Sequence, residues 1–388
     1  MEIVLTAERL WDGSRLLDLP MVSIEEGRID SIGTRRESEL SSQALHIDFP
    51  GATLAPAFYD VHFHGAKGHD VMEATPTELA AIGGFLAEHG TGSYLATTVT
   101  APLDATLRSL ARLAKLAAQP PVPGLAQLAG IHLEGPFLSH TKRGVQPAEH
   151  LLAPGIATFD RLFEAAEGQI RLMTLAPELP GAVELTAHAR ARGIRVSLGH
   201  SNATAAETRD AIAAGAVSAT HTFNAMRALE AREPGILGTV LADDSLFAEL
   251  ICDGIHVAPE MVRLWWKAKG PERAILVTDA MSAAGMPDGS YQLGGFAVEV
   301  KQGRAMARGV LAGSVLTQDR ALSNFLEFTG ARLEEALRLV TVNPRLMSGL
   351  GSLAGSLTTG QPASFVALDH AGKVVGSVVN GRSASQGQ

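Results

Sequence analysis

From about residue 54 to residue 280 the chain repeats one pattern: a short, wholly apolar run followed by a longer stretch rich in Ala, Leu, Arg and Glu. The runs are TLAPAFYDVHFHG, GSYLATTVT, AGIHLEGPF, RLMTLAPE, IRVSLGHS, AVSATHTFN, LFAELICDG and RAILVTDA. A strand that is apolar on both faces must be covered on both, and crossover helices packed on a parallel sheet do this. Eight strand–helix units in about 300 residues predict a (β/α)8 TIM-like barrel. A doubly wound open sheet is the alternative, but it usually carries a Gly-rich phosphate turn after its first strand, and none is found.

The two ends of the chain have a different texture. MEIVLTAERL, PMVSIEEGRIDSIG and QALHIDFPG near the start, and ASFVALDHAGKVVGSVVNGR near the end, alternate apolar and polar residues between turn formers. They predict a small discontinuous β-sandwich domain, residues 1–53 with 356–388, flanking a barrel domain over 54–355. The segment from Tyr291 to Ser314 breaks the strand–helix rhythm and reads as a hairpin inserted before the last helices.

A hydrophobic share of 46% against 19% charged residues is enough for a large core and argues against disorder. The net charge of −9 argues against nucleic acid or an anionic membrane as partner, while leaving room for a small anionic substrate. No apolar run approaches the ~18 residues of a membrane span. The opening MEIVLTAERLWDG lacks a basic segment followed by an apolar one, so no signal peptide is expected. Cys252, the single cysteine, can form no intrachain disulfide and reads as a small buried apolar residue. A soluble cytoplasmic protein is expected.

The polar residues of the barrel segment cluster at the C-terminal ends of its predicted strands, where barrels of this kind build their sites. The first strand ends in Asp60-Val61-His62-Phe63-His64, the third in His132-Leu133-Glu134 and the fifth in Gly199-His200. The sixth ends in Thr220-His221, the seventh in Asp253-Gly254-Ile255-His256 and the eighth in Thr278-Asp279. His62 and His64, two apart on a strand, point the same way. Taken singly, each histidine is as well explained by a core imidazole bonded to a backbone carbonyl. Four histidines and two carboxylates at matching strand ends are not, because burying them together is costly unless a ligand satisfies them. A divalent ion, Zn2+ or similar, is the ligand that nitrogen and carboxylate donors suit.

Beyond these residues, DVHFHGAKGHD (60–70), HLEGPF (132–137), GHSNA (199–203), THTFNAM (220–226), REPG (232–235), DGIHV (253–257), VTDAM (277–281) and the GS and LT of 313–317 follow in order along the barrel. Together they resemble the N-acetylglucosamine-6-phosphate deacetylase branch of the amidohydrolase superfamily. The resemblance implies a metal-dependent hydrolase that removes acetate from N-acetylglucosamine 6-phosphate in amino-sugar catabolism. It implies that Glu134, His200 and His221 hold the principal ion, that His62 and His64 hold a second, and that Asp279 is the catalytic acid and base. It further implies that Asn224 and Ala225 line the sugar-phosphate site and that His256 and Arg232 contact the phosphate. The arginine is expected to come from a neighbouring subunit, which requires a homodimer or higher oligomer.

Two segments depart from the family pattern. Many relatives carry a histidine where Lys142-Arg143-Gly144-Val145-Gln146-Pro147 has Gln146, a hydrogen-bond donor that cannot carry charge. The segment before REPG, often a His-His pair, is Leu229-Glu230-Ala231. These departures keep open N-acetylgalactosamine 6-phosphate or an unphosphorylated N-acyl sugar as the substrate. A non-catalytic barrel scaffold is the alternative of another class, disfavoured because every metal-type residue and Asp279 are present.

Overall fold

A computed structural model describes residues 2–34, 44–350 and 355–384. Its centre is a sheet of eight strands: β1 (Phe58–Phe63), β2 (Thr91–Thr97), β3 (Gln127–Glu134), β4 (Ile170–Leu175), β5 (Arg195–Leu198), β6 (Ser218–Ala219), β7 (Phe247–Ile251) and β8 (Ala274–Val277). Every neighbouring pair is parallel, in chain order. Just past β8 the barrel closes on β1, where Asp279 N–H donates to His62 O at 3.0 Å and His64 N–H to Ala280 O at 2.8 Å.

A helix follows each strand: α1 (Pro76–Glu88), α2 (Leu103–Ala117), α3 (Ile156–Ala165), α4 (Ala182–Ala191), α5 (Ala205–Ala214), α6 (Gly235–Ala242), α7 (Pro259–Arg273) and α8 (Gln318–Thr329). The starts of α1 and α5 are encoded locally. Thr75 with Glu78, and Thr204 with Glu207, form reciprocal capping boxes that satisfy backbone N–H groups the helices leave unpaired. Trp265 on α7 is fully buried against Phe325 of α8, so it packs the shell of the barrel. Cys252 is buried likewise, and burial pushes its thiol pKa up.

The termini meet in one further sheet of eight strands. Leu45–Pro56 runs parallel to Ile3–Trp11 on one side and antiparallel to Phe365–Leu368 on the other, so both ends of the chain pair through it. The sheet folds over its own core of Leu5, Leu10, Ile24, Leu54 and Phe365. A corner closes where Ile29 N–H donates to Gln361 O and Ala363 N–H to Gly27 O, both at 2.9 Å. There Gly27 and Gly381 meet with φ +75° and +79°, and a Cβ on Gly381 would lie 2.7 Å from Gly27 O, so this corner requires glycine. Leu45–Pro56 passes through the expected 53/54 boundary and hands over to β1 after one residue, Ala57. The parts of the expected domains at residues 1, 35–43, 351–354 and 385–388 lie outside the described residues.

The segment that breaks the rhythm is larger than a hairpin. Gly289–Leu293, Phe296–Lys301, Arg304–Ala307 and Val310–Leu311 form a four-stranded antiparallel sheet. Its inner face, with Leu293, Val298 and Val300, packs on Met72, Val99 and Met281 beside the barrel mouth. Among the described residues no helix is long and apolar enough to cross a membrane.

Candidate metal and active site

Six predicted side chains converge at the C-terminal mouth of the barrel. His62 and His64 come from β1 and its end, Glu134 from the last position of β3, and His200, His221 and Asp279 from two residues past β5, β6 and β8. All six are buried. They form two sets, His62 with His64 and Asp279, and Glu134 with His200 and His221; within each set the ligand-type atoms lie within 4.8 Å of one another. Glu134 joins the sets. Its Oε1 is 3.2 Å from His200 Nε2, 3.3 Å from His221 Nε2 and 3.5 Å from His62 Nε2, while Oε2 is 3.5 Å from His64 Nε2. Asp279 Oδ1 lies 3.1 Å from His64 Nε2 and 3.5 Å from His62 Nε2.

Which nitrogens carry protons decides what this arrangement can hold. His64 Nδ1 donates to Thr97 O and His200 Nδ1 to Lys142 O, each at 3.1 Å. In the neutral tautomers their Nε2 atoms are therefore lone pairs. Yet His200 Nε2 faces His221 Nε2 at 3.1 Å, and His64 Nε2 faces His62 Nε2 at 3.2 Å. Lone pairs and carboxylate oxygens packed at this spacing repel unless a cation stands among them. Without a metal ion that cation is a proton: burial alone would lower the His62 pKa, but Asp279 and Glu134 outweigh it and raise it to about 10. For the carboxylates burial pushes the other way, and His62 overrides it. Glu134 falls well below its ordinary range and Asp279 to about 2. This donor set fits one or two divalent ions.

The backbone that presents these side chains is unusual. His200, His221 and Asp279 have φ of +47°, +29° and +49°, a region that non-glycine residues rarely occupy. Asp279 is held there because Ser314 N–H donates to its carbonyl at 2.7 Å while its own N–H bonds His62 O. Before His200 stands Gly199, where a Cβ would come within 2.7 Å of Thr220 Cβ; only glycine lets β5 and β6 approach this closely.

A cavity of about 310 Å3 opens onto the site, lined by His64, Glu134, His200, His221 and Asp279, and by the predicted Gln146, Asn224, Ala225 and His256. Val99, Val145, Leu293, Val310 and Leu311 give it an apolar side, partly from the inserted sheet. His256 Nδ1 donates to Asp253 Oδ2 at 2.7 Å. Gln146 is held at both ends of its amide: Oε1 accepts from Thr100 N–H at 2.8 Å and Nε2 donates to Glu134 Oε2 at 3.0 Å. Arg232 is exposed and is not among the residues lining the cavity of its own chain. His132 does not reach the mouth either; its nitrogens face Thr97 Oγ1 at 3.2 Å and Thr174 Oγ1 at 2.8 Å, and burial drives its pKa well below the ordinary value.

A profile of the family described as "Amidohydrolase family" matches residues 53–384. The chain belongs to the amidohydrolase family. Across 99% of its length it is 39% identical to an N-acetylgalactosamine-6-phosphate deacetylase of Escherichia coli O157:H7, all of which is covered. Over 94% of the chain and 92% of the relative, it is 37% identical to an N-acetylglucosamine-6-phosphate deacetylase of Bacillus subtilis. A mutant N-acetyl-D-glucosamine-6-phosphate deacetylase of Mycobacterium smegmatis, solved in complex with N-acetyl-D-glucosamine-6-phosphate, superposes with a TM-score of 0.92 at 34% identity, over 99% of this chain and 100% of that one.

Sequence reasoning about this amidohydrolase passed over two residues of the site. Lys142 lines the cavity together with Gln146 of the same loop, the one residue of that loop expected there. Glu249 of β7 is fully buried, with Oε2 3.4 Å from His62 Nδ1. Its signal was a charged residue inside the otherwise apolar run LFAELIC.

Proposed function

We propose that this amidohydrolase removes acetate from N-acetylglucosamine 6-phosphate, giving glucosamine 6-phosphate in the cytoplasm. The carrying observation is the pair of acceptor-rich donor sets sharing Glu134, with Asp279 beside them on the cavity. In this reading Glu134, His200 and His221 hold one Zn2+, and His62 and His64 with Asp279 hold a second. A divalent ion bound there supplies hydroxide at neutral pH and polarises a carbonyl. Asp279 takes the proton of the attacking water and returns it to the departing amine nitrogen, so that amide and water become acetate and amine. Gln146, its orientation set by Thr100 N–H, has a second amide hydrogen to donate to the developing acyl oxygen without adding charge. Asn224 and the backbone of Ala225 orient the sugar phosphate, and His256, braced by Asp253, meets the phosphate. Arg232 reaches the cavity of a second copy in a homodimer. The separation into 1–53 with 356–388 and 54–355 belongs to this proposal: the barrel carries the chemistry and the terminal sheet supports its base.

N-acetylgalactosamine 6-phosphate is the second reading, favoured by the 39% identity to the E. coli O157:H7 relative over 99% of this chain. Acetate release from the two N-acetylhexosamine 6-phosphates and from both unphosphorylated sugars is the test. A kcat/KM at least tenfold higher for a phosphorylated sugar is expected, with the glucosamine epimer preferred. Preference for an unphosphorylated sugar would overturn the proposal, and preference for the galactosamine epimer would establish the second reading.

A further inference from the structure

Glu249 is a buried carboxylate beside the site that the proposed chemistry leaves without a part. It is fully buried in β7 between the apolar Ala248 and Leu250. Its Oε2 lies 3.4 Å from His62 Nδ1 and accepts the His221 backbone N–H at 3.4 Å, while Oε1 has no partner. Burying an incompletely paired carboxylate is costly, and the packing of an apolar strand does not call for one. His62 is also fully buried, so water cannot serve its Nδ1, and among the described residues Glu249 is the only acceptor at that atom. His64 and His200, by contrast, rest their Nδ1 atoms on neutral backbone carbonyls. Of these three histidines, only His62 thus rests its Nδ1 on a carboxylate.

We propose that Glu249 is a positioning residue for the His62/His64/Asp279 set. By accepting the Nδ1 proton it holds His62 in the tautomer whose Nε2 lone pair faces the mouth, and it makes that nitrogen the more basic donor. The inference rests on the proposed reading that this set holds an ion.

The test is Zn2+ affinity measured by chelator competition on metal-free protein, with no dependence on turnover. Wild type is expected to bind two equivalents and His64→Asn one, which identifies the equivalent belonging to the histidine pair. Glu249→Gln should weaken that equivalent by about ten- to a hundredfold, the range for losing a partner behind a ligand. The other equivalent should stay within threefold, and adding Glu249→Gln to His64→Asn should change nothing further. If Glu249→Gln does not fold, Glu249→Asp serves, since it retracts the carboxylate by one methylene and should weaken the same equivalent. Unchanged affinities, or equal weakening of both, overturn the role of Glu249. A single equivalent in wild type overturns the two-ion reading, and this inference with it.

Discussion

Gln146→Leu removes both bonds that fix the Gln146 amide at similar volume, and its cost can be worked from the structure. Thr100 N–H, bonded to Oε1 at 2.8 Å, is left unsatisfied in the interior, a loss of about 1–3 kcal/mol. Glu134 Oε2 loses a charge-assisted donor at 3.0 Å, a further ~1.5–3 kcal/mol. The added apolar burial of leucine returns roughly 1 kcal/mol, leaving about 1.5–5 kcal/mol for the metal-free protein. At roughly 2 °C per kcal/mol for a chain of this length, the midpoint of thermal unfolding should fall by about 3–10 °C. Calorimetry on metal-free and Zn2+-loaded protein checks this. The loaded protein should lose less, because a bound cation gives Glu134 another partner, and Gln146→His, which keeps a ring N–H, should recover part of the loss. A midpoint within ~1 °C of wild type in the metal-free state would refute the anchoring. Equal losses in both states would refute the part assigned to Glu134.

Asp279→Asn should keep the fold while lowering kcat by at least ~10²-fold, and near-normal turnover would remove Asp279 from the chemistry. Arg232→Ala should weaken kcat/KM on a phosphorylated sugar by roughly 2–4 kcal/mol while barely affecting the unphosphorylated one; equal losses on both would make Arg232 structural. Because Arg232 lies off its own cavity, dilution to monomers should also abolish the preference for phosphate. In the metal-free protein, the raised pKa of His62, about 10, contributes stability that is fully present below pH 6.5 and is lost as pH rises toward 10. An incoming ion must displace that proton, so Zn2+ affinity should rise across the same window; unfolding midpoints and chelator competition between pH 6 and 10 check both, and flat profiles would contradict the assignment.

The barrel was legible because each of its strands is apolar on both faces, a pattern few folds accommodate. The mouth was legible because His62, Glu134, His200, His221 and Asp279 all stand where strands end. His132 shows the limit of that reading: two positions before Glu134, it points the same way but sits one layer deeper, where Thr97 and Thr174 satisfy it without an ion. Glu249 was hidden for the converse reason, since one charged residue in an apolar strand does not reveal what lies across the barrel from it. The inserted sheet reads as a hairpin because its last strand, Val310–Leu311, is only two residues long; its register comes from pairing with Arg304–Ala307. Arg232 is different again, since a sequence does not tell whether an exposed arginine serves its own chain or a neighbouring copy.

The left-handed backbone at His200, His221 and Asp279 ties the two donor sets to the barrel that carries them. A strand that simply continued would keep sending alternate side chains in opposite directions. A single left-handed residue just past the strand turns the chain sharply instead and redirects its side chain at the mouth. Each such residue costs of order 1–3 kcal/mol and persists only where its surroundings over-determine it. Here the surroundings are backbone bonds from other loops: Ser139 N–H to His200 O at 3.0 Å and Ser314 N–H to Asp279 O at 2.7 Å. The loop of Ser139 also carries Lys142, whose carbonyl orients the His200 ring, and Gln146, which bonds Glu134. One loop therefore fixes the backbone of one donor, the tautomer of that donor and the carboxylate shared by both sets. In a barrel whose strands are all parallel, the arrangement of the site is consequently written largely in the connections between them, the loop from Ser139 to Gln146 above all.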